Sequence, residues 1–192
     1  MTSRCLLLFV LCSALHAAEE YSYWVEPCTQ EKAQATSCAP GDEELGAWAF
    51  EALQRESNGA LIFKKSPTEA HARIRLRWAG GATNLYGETQ AVMVDGKRGA
   101  IIYVLPDTPV TGGDRLLRDA IVYLTCVHES GHALGLPHTA EFADIMYSFS
   151  YGGDIVEYFQ RYRRQLQTRA DIPRHSGISD SDRANLRALL RQ

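Results

Sequence analysis

No segment of this 192-residue sequence is apolar for long enough to span a bilayer; the longest such run covers only residues 5–12. Charge of one sign is also missing. Lys plus Arg is 20 and Asp plus Glu is 23, a net charge of −3, which excludes a dedicated nucleic-acid binder of the usual basic kind. Proline (7) and glycine (15) are too few and too irregular for a collagen-like or low-complexity chain, and no internal repeat is present. What remains is the composition of an ordinary soluble domain, 45% apolar and 22% charged. At this length one domain with an adequate core is the default.

The first residues read differently from the rest. Arg4 precedes Cys5-Leu6-Leu7-Leu8-Phe9-Val10-Leu11-Cys12, and small residues follow at Ser13, Ala14, Ala17 and Ala18. That is the pattern of a secretory signal peptide, with cleavage expected near Ala17–Ala18. An uncleaved N-terminal anchor is the other reading, while Leu11 is too large for a lipid-attachment box at Cys12. Residues 1–17 are thus expected to be a leader and 18–192 a single domain, secreted or held in the cell envelope, with no stable membrane insertion. Export favours disulfides. Cys28 and Cys38 bracket a short polar loop and are expected to pair. Cys126 lies in an apolar helical stretch and reads as a buried thiol, though its pairing with either of the others stays open.

Several elements are legible from periodicity. Tyr21 to Glu26 is a candidate first strand. Asp42, Glu43 and Glu44 open a helix whose apolar face is Leu45, Trp48, Ala49, Ala52 and Leu53, with Asn58-Gly59 as its stop. Leu61-Ile62-Phe63 reads as a buried strand. From Arg73 to Trp78 three arginines alternate with Ile74, Leu76 and Trp78, so the arginine face is either a solvated sheet face or an anion site. Thr89–Val94 and Ala100–Leu105 are strands joined by Asp95-Gly96-Lys97-Arg98-Gly99, a hairpin signal. Arg115 to Leu134 is a long helical pattern with Leu116, Leu117, Ala120, Ile121, Leu124 and Val127 on its apolar face. Ser179 and Asp182 form a capping-box pattern before a last helix carrying Leu186, Leu189 and Leu190.

The chemistry concentrates in His128-Glu129-Ser130-Gly131-His132-Ala133-Leu134-Gly135-Leu136-Pro137-His138. Residues i and i+4 share a helix face, so His128 and His132 can point two imidazoles at one ion. Glu129 comes beside that ion without ligating it, where a general base must be to take a proton from an activated water. Gly135 can end the helix with a sharp left-handed turn and Pro137 forbids its continuation, so His138 can return as a third ligand. Three protein ligands with a fourth position open is the catalytic zinc pattern, and three imidazoles in tetrahedral array suit Zn²⁺ better than copper or iron.

These residues match the metzincin sequence His-Glu-x-x-His-x-x-Gly-x-x-His, and Met146, eight residues after His138, is placed like the family's Met-turn. Within the metzincins the chain most resembles a matrixin: Thr139 stands where Ser is typical, and Tyr147 follows the methionine. The resemblance implies an α/β, zincin-like fold, with a twisted, mostly parallel five-stranded sheet, an antiparallel edge strand at Thr89–Val94, the zinc-site helix and a C-terminal helix. It also implies a zinc endopeptidase acting on peptide or protein substrates, with Glu129 as base and a peptide pairing with the edge strand.

Departures from the family bear on regulation. No propeptide cysteine motif precedes the first strand, and the histidines of a second, structural zinc are missing; His71 and His175 are isolated. Calcium near Asp95 or Gly112-Gly113-Asp114 has no recognisable ligand loop. Ile155 to Leu166 reads as a basic, aromatic helix: a wall of the substrate pocket, as the resemblance implies for this region, a surface for a partner, or a solvated helix with its arginines lying over the core. Beside the peptidase two other functions remain: a catalytically silent zinc-binding module of the same fold, and a zinc hydrolase acting on something other than peptides. Oligomeric state is left open.

Overall fold

A computed structural model describes residues 17–81, 86–107 and 112–191. The expected leader therefore lies outside the described residues, apart from Ala17. Five strands form one sheet in the order β2-β1-β3-β5-β4. They are β1 (Glu19–Val25), β2 (Leu61–Lys65), β3 (Ile74–Trp78), β4 (Gly87–Val94) and β5 (Lys97–Val104). The β1–β2, β1–β3 and β3–β5 pairs are parallel; β4 runs antiparallel to β5, with Val94 opposite Lys97 at the hairpin. The fold is thus mixed α/β with a mostly parallel sheet and an antiparallel edge strand. No helix among the described residues is long and apolar enough to cross a membrane.

Helix α1 (Gln30–Thr36) occupies what the sequence suggested was a loop between Cys28 and Cys38. Those cysteines are disulfide-bonded. Thr29 caps the helix, its hydroxyl accepting from the Lys32 N–H, and the Lys32 ammonium pairs with Glu26. Only Thr36 of this helix is buried, so it has no apolar face for a periodicity reading to find. Cys126 is a free thiol with no exposed surface, which resolves its alternatives; burial pushes its pKa up.

Helices α2 (Asp42–Glu56) and α3 (Arg115–Leu134) pack on each other and on the sheet. In α2 Leu45, Ala49, Ala52 and Leu53 are buried as expected, while Phe50 is fully buried and Trp48 only partly. Asp42, itself buried, accepts from the Ala39 N–H and is clamped by Arg118 of α3. Of the expected α3 stripe Leu116 is only partly buried and the rest is buried, but the stripe is too narrow: Val122, Tyr123, Thr125 and Cys126 are buried as well. Helix α4 (Ile155–Arg163) and the 3-10 segment Arg169–Arg174 cover the side that an amphipathic helix would leave to water.

The β3 pattern holds, with Ile74, Leu76 and Trp78 buried. Its arginines stay partly exposed, as a solvated face would, but each is tied to a neighbouring group and they do not converge on an anion site. Arg73 donates to the carbonyls of Glu20 and Arg98, Arg75 to that of Ala72, and Arg77 pairs with Glu69. The last helix, α5 (Asp180–Leu189), has both halves of the expected capping box. At α4 the helix stops three residues before the expected Leu166.

Candidate metal centre

The last turns of α3 carry His128 and His132, one turn apart. Gly135 ends the helix at φ 115°, a left-handed conformation that glycine takes without a Cβ clash. Its N–H donates to the Gly131 and His132 carbonyls, and the Leu136 N–H donates to Gly131, so the turn is fully bonded. The chain then doubles back and brings His138 to the other two. The His138 Nε2 lies 3.2 Å from the His128 Nε2 and 3.1 Å from the His132 Nε2.

Two of the three rings have their tautomers fixed by what the other nitrogen meets. The Nδ1–H of His128 donates to the Ile145 carbonyl (2.6 Å) and that of His132 to the Leu136 carbonyl (2.8 Å). A carbonyl can only accept, so both Nε2 atoms carry lone pairs. Burial pushes the His128 pKa down to about 4 and lowers that of His132, which keeps both rings neutral at physiological pH. Both lone pairs face one His138 nitrogen, which could donate to at most one of them. The arrangement suits a cation. Tetrahedral zinc with Zn–N bonds of 2.0–2.1 Å needs ligand nitrogens about 3.3–3.4 Å apart, close to the separations present. Among the described residues these histidines are the one such group that could hold a metal ion. Asp114, a calcium candidate, instead caps α3 and pairs with Arg163.

Met146 is buried beneath this group. A Cβ built on Gly131 would come 2.5 Å from the Met146 sulfur, so the methionine lies directly against the helix between His128 and His132. Its turn is held from α5. The Asp182 carboxylate accepts from the Ile145 N–H (2.6 Å) and the Met146 N–H (3.2 Å) while also accepting from the Ser179 N–H in its own cap. One path therefore runs from the α5 cap through the Ile145 peptide to the ring of His128, the kind of outer support that orients a metal ligand.

Glu129 points from α3 toward β4. Its carboxylate receives the Thr89 hydroxyl at 2.7 Å, and the main-chain carbonyl of Glu129 lies 2.9 Å from the same hydroxyl. Burial pushes the Glu129 carboxyl up to about 7, against the pull of Thr89 and with a further push from Glu88.

The histidines and Glu129 open on a cleft of about 530 Å³. Its far wall is aromatic and aliphatic: Tyr86, Leu124, Phe149, Ile155, Tyr158 and Phe159. Tyr86 packs on Phe159 with ring centres 5.1 Å apart, and Phe149 packs on Tyr158 at the same distance. Helix α4 thus supplies part of this wall, while Arg161 lies over the Tyr158 ring and ties down the Phe142 and Ala143 carbonyls. A second cavity, of about 440 Å³, shares Leu124 and Tyr158 with the first and is lined by His175 but by none of the three clustered histidines.

The structure brings together His128, His132, His138, Glu129 and Met146. Sequence reasoning did not find Thr89, Tyr86, Phe149 or the contact of Asp182 with the Met146 turn. Of these only Asp182 left a sequence signal, its capping box. No profile of a known protein family matches the chain, and a search of curated proteins finds no similar sequence.

Proposed function

We propose that the chain is an exported zinc endopeptidase, similar in its site to the matrixins among the metzincins. On this reading residues 1–17 are the leader and 18–192 the catalytic domain. The observation that carries it is the convergence of three Nε2 atoms, with Glu129 beside them, on a cleft bordered by the sheet-edge strand β4. His128, His132 and His138 would hold zinc, which supplies a Lewis acid that makes water nucleophilic near neutral pH.

The rest follows from the chain's own groups. An extended peptide adds to the β4 edge through main-chain hydrogen bonds, which sets its carbonyl across the histidines. One of its side chains enters the aromatic wall. Glu129 takes the proton from the attacking water and delivers it to the leaving amine nitrogen. Its raised pKa near 7 suits a group that must both accept and release a proton. The test is hydrolysis of a mixed peptide library by the zinc-loaded chain beside Glu129→Gln. Cleavage that the variant lacks, at unchanged zinc content, supports the reading. Equal cleavage by both removes Glu129 as base, and zinc binding without cleavage of any peptide points to a silent binding module.

A further inference from the structure

We infer that Thr89 is a positioning residue for Glu129: its hydroxyl, presented by β4, holds the Glu129 carboxylate in the orientation that proton transfer needs. The inference rests on the peptidase reading and adds a residue to it. Among the described residues Thr89 is the one hydrogen-bond partner of that carboxylate.

The contact is built from both sides. Gly87 and Thr89 are two apart on a strand, so they share the face turned to α3, while Glu88 and Gln90 are exposed. At Gly87 the backbone itself closes on the glutamate. A Cβ there would stand 2.7 Å from the Glu129 Cγ, 2.9 Å from its Oε1 and 2.9 Å from the Thr125 methyl. Gly87 has no positive φ, so this close approach, and not the backbone turn, is what requires glycine. The carboxylate is left one slot, between the bare Gly87 backbone and its own helix, with Thr89 Oγ1 at its end.

A hydroxyl suits this place in a way that its shape alone does not explain. Valine would fill the same space in a strand with equal β-propensity. The hydroxyl has one proton and two acceptors in reach, Oε2 at 2.7 Å and the Glu129 carbonyl at 2.9 Å. It donates to the carboxylate. Once Glu129 holds the proton taken from water on its other oxygen, the hydroxyl keeps its bond to Oε2. The side chain thus keeps one position before and after the transfer.

Thr89→Val, Thr89→Ser and Gly87→Ala are compared with wild type as zinc-loaded chains, by kcat and KM on a peptide from the library and by high-resolution crystal structures. Loss of a hydrogen bond to a charged group predicts a kcat about ten- to hundredfold lower in Thr89→Val. KM, zinc content and melting temperature should stay near wild type, and the Glu129 carboxylate should leave its single position. Thr89→Ser should restore both the rate and the position. Gly87→Ala should displace Glu129 with the hydroxyl still present. Wild-type kcat in Thr89→Val overturns the inference, and so does a serine variant as slow as the valine one, which would assign the effect to packing. If Thr89→Val does not fold, Thr89→Ser and Gly87→Ala decide by the same readouts. If wild type cleaves no peptide, the peptidase reading fails separately, and the position of Glu129 across the crystal structures still decides whether Thr89 holds it.

Discussion

Replacing Asp182 with alanine should damage both the stability of the chain and its grip on a metal, although Asp182 touches no ligand. The side chain is 1% exposed and accepts from three main-chain N–H groups, those of Ile145, Met146 and Ser179. Burial raises its pKa, and the three donors pull the other way. Alanine leaves the Ile145 and Met146 N–H groups buried without an acceptor and removes half of the α5 capping box. The loss of two buried charge-assisted bonds, offset in part by relief of the buried charge, is about 2–4 kcal/mol. For a domain of this size that is a fall in melting temperature of about 5–12 °C. The Ile145 carbonyl would lose its fixed place against the His128 Nδ1–H, and zinc affinity should fall about tenfold. Thermal unfolding of the chelated chain reads the first effect free of metal linkage, and competition with a chromophoric chelator reads the second. Asp182→Asn should fall between, since its amide turns one donor toward another. A loss below about 1 kcal/mol with unchanged zinc affinity would refute the path from the α5 cap to His128.

Other outcomes follow from particular contacts. His138→Ala should lower bound zinc and any hydrolysis together, as elemental analysis and a peptide assay would show; full zinc occupancy would place the third ligand elsewhere. Changing Cys28 and Cys38 to serine together should cost about 2–3 kcal/mol by loop entropy over their separation of 10 residues, read by denaturant unfolding. Asp114 is held below the ordinary carboxylate pKa by the Leu117 N–H and by Arg163. At Glu56 burial pushes upward, but Arg183 and Ser176 outweigh it and the net shift is downward. A depressed folded-state pKa gives stability that is present above about pH 4 and lost as pH falls below it. Thermal melts should therefore drop on that acid limb, and Asp114→Asn with Glu56→Gln should flatten it; an unchanged slope would count against both contacts.

The parts of this chain that were legible in its sequence are those whose cause is local. Helix α3, its stop at Gly135 and the return at Pro137 follow from backbone rules acting over a few residues, and the motif's three imidazoles meet because of them. The β4–β5 hairpin is equally local. What escaped depends on distant partners. The burial of Tyr123, whose ring stacks on Tyr162, requires knowing that α4 covers the outer face of α3. The arginines of β3 could be placed on one face, but their acceptors are carbonyls of other strands and loops and, for Arg77, the Glu69 carboxylate. Thr89 lies 40 residues from Glu129 and Asp182 lies 37 from Ile145, so neither contact leaves a periodic trace. Helix α1 was missed for the opposite reason: it is held by a cap and a disulfide and buries almost nothing.

The most direct test of the central claim is a titration of the chelated chain with zinc, following bound metal and peptide cleavage together. Cleavage should rise in proportion to bound zinc and level off at one equivalent per chain. Full occupancy at one equivalent with no cleavage of any library peptide, or cleavage that persists in the fully chelated chain, would contradict a zinc peptidase built on His128, His132, His138 and Glu129.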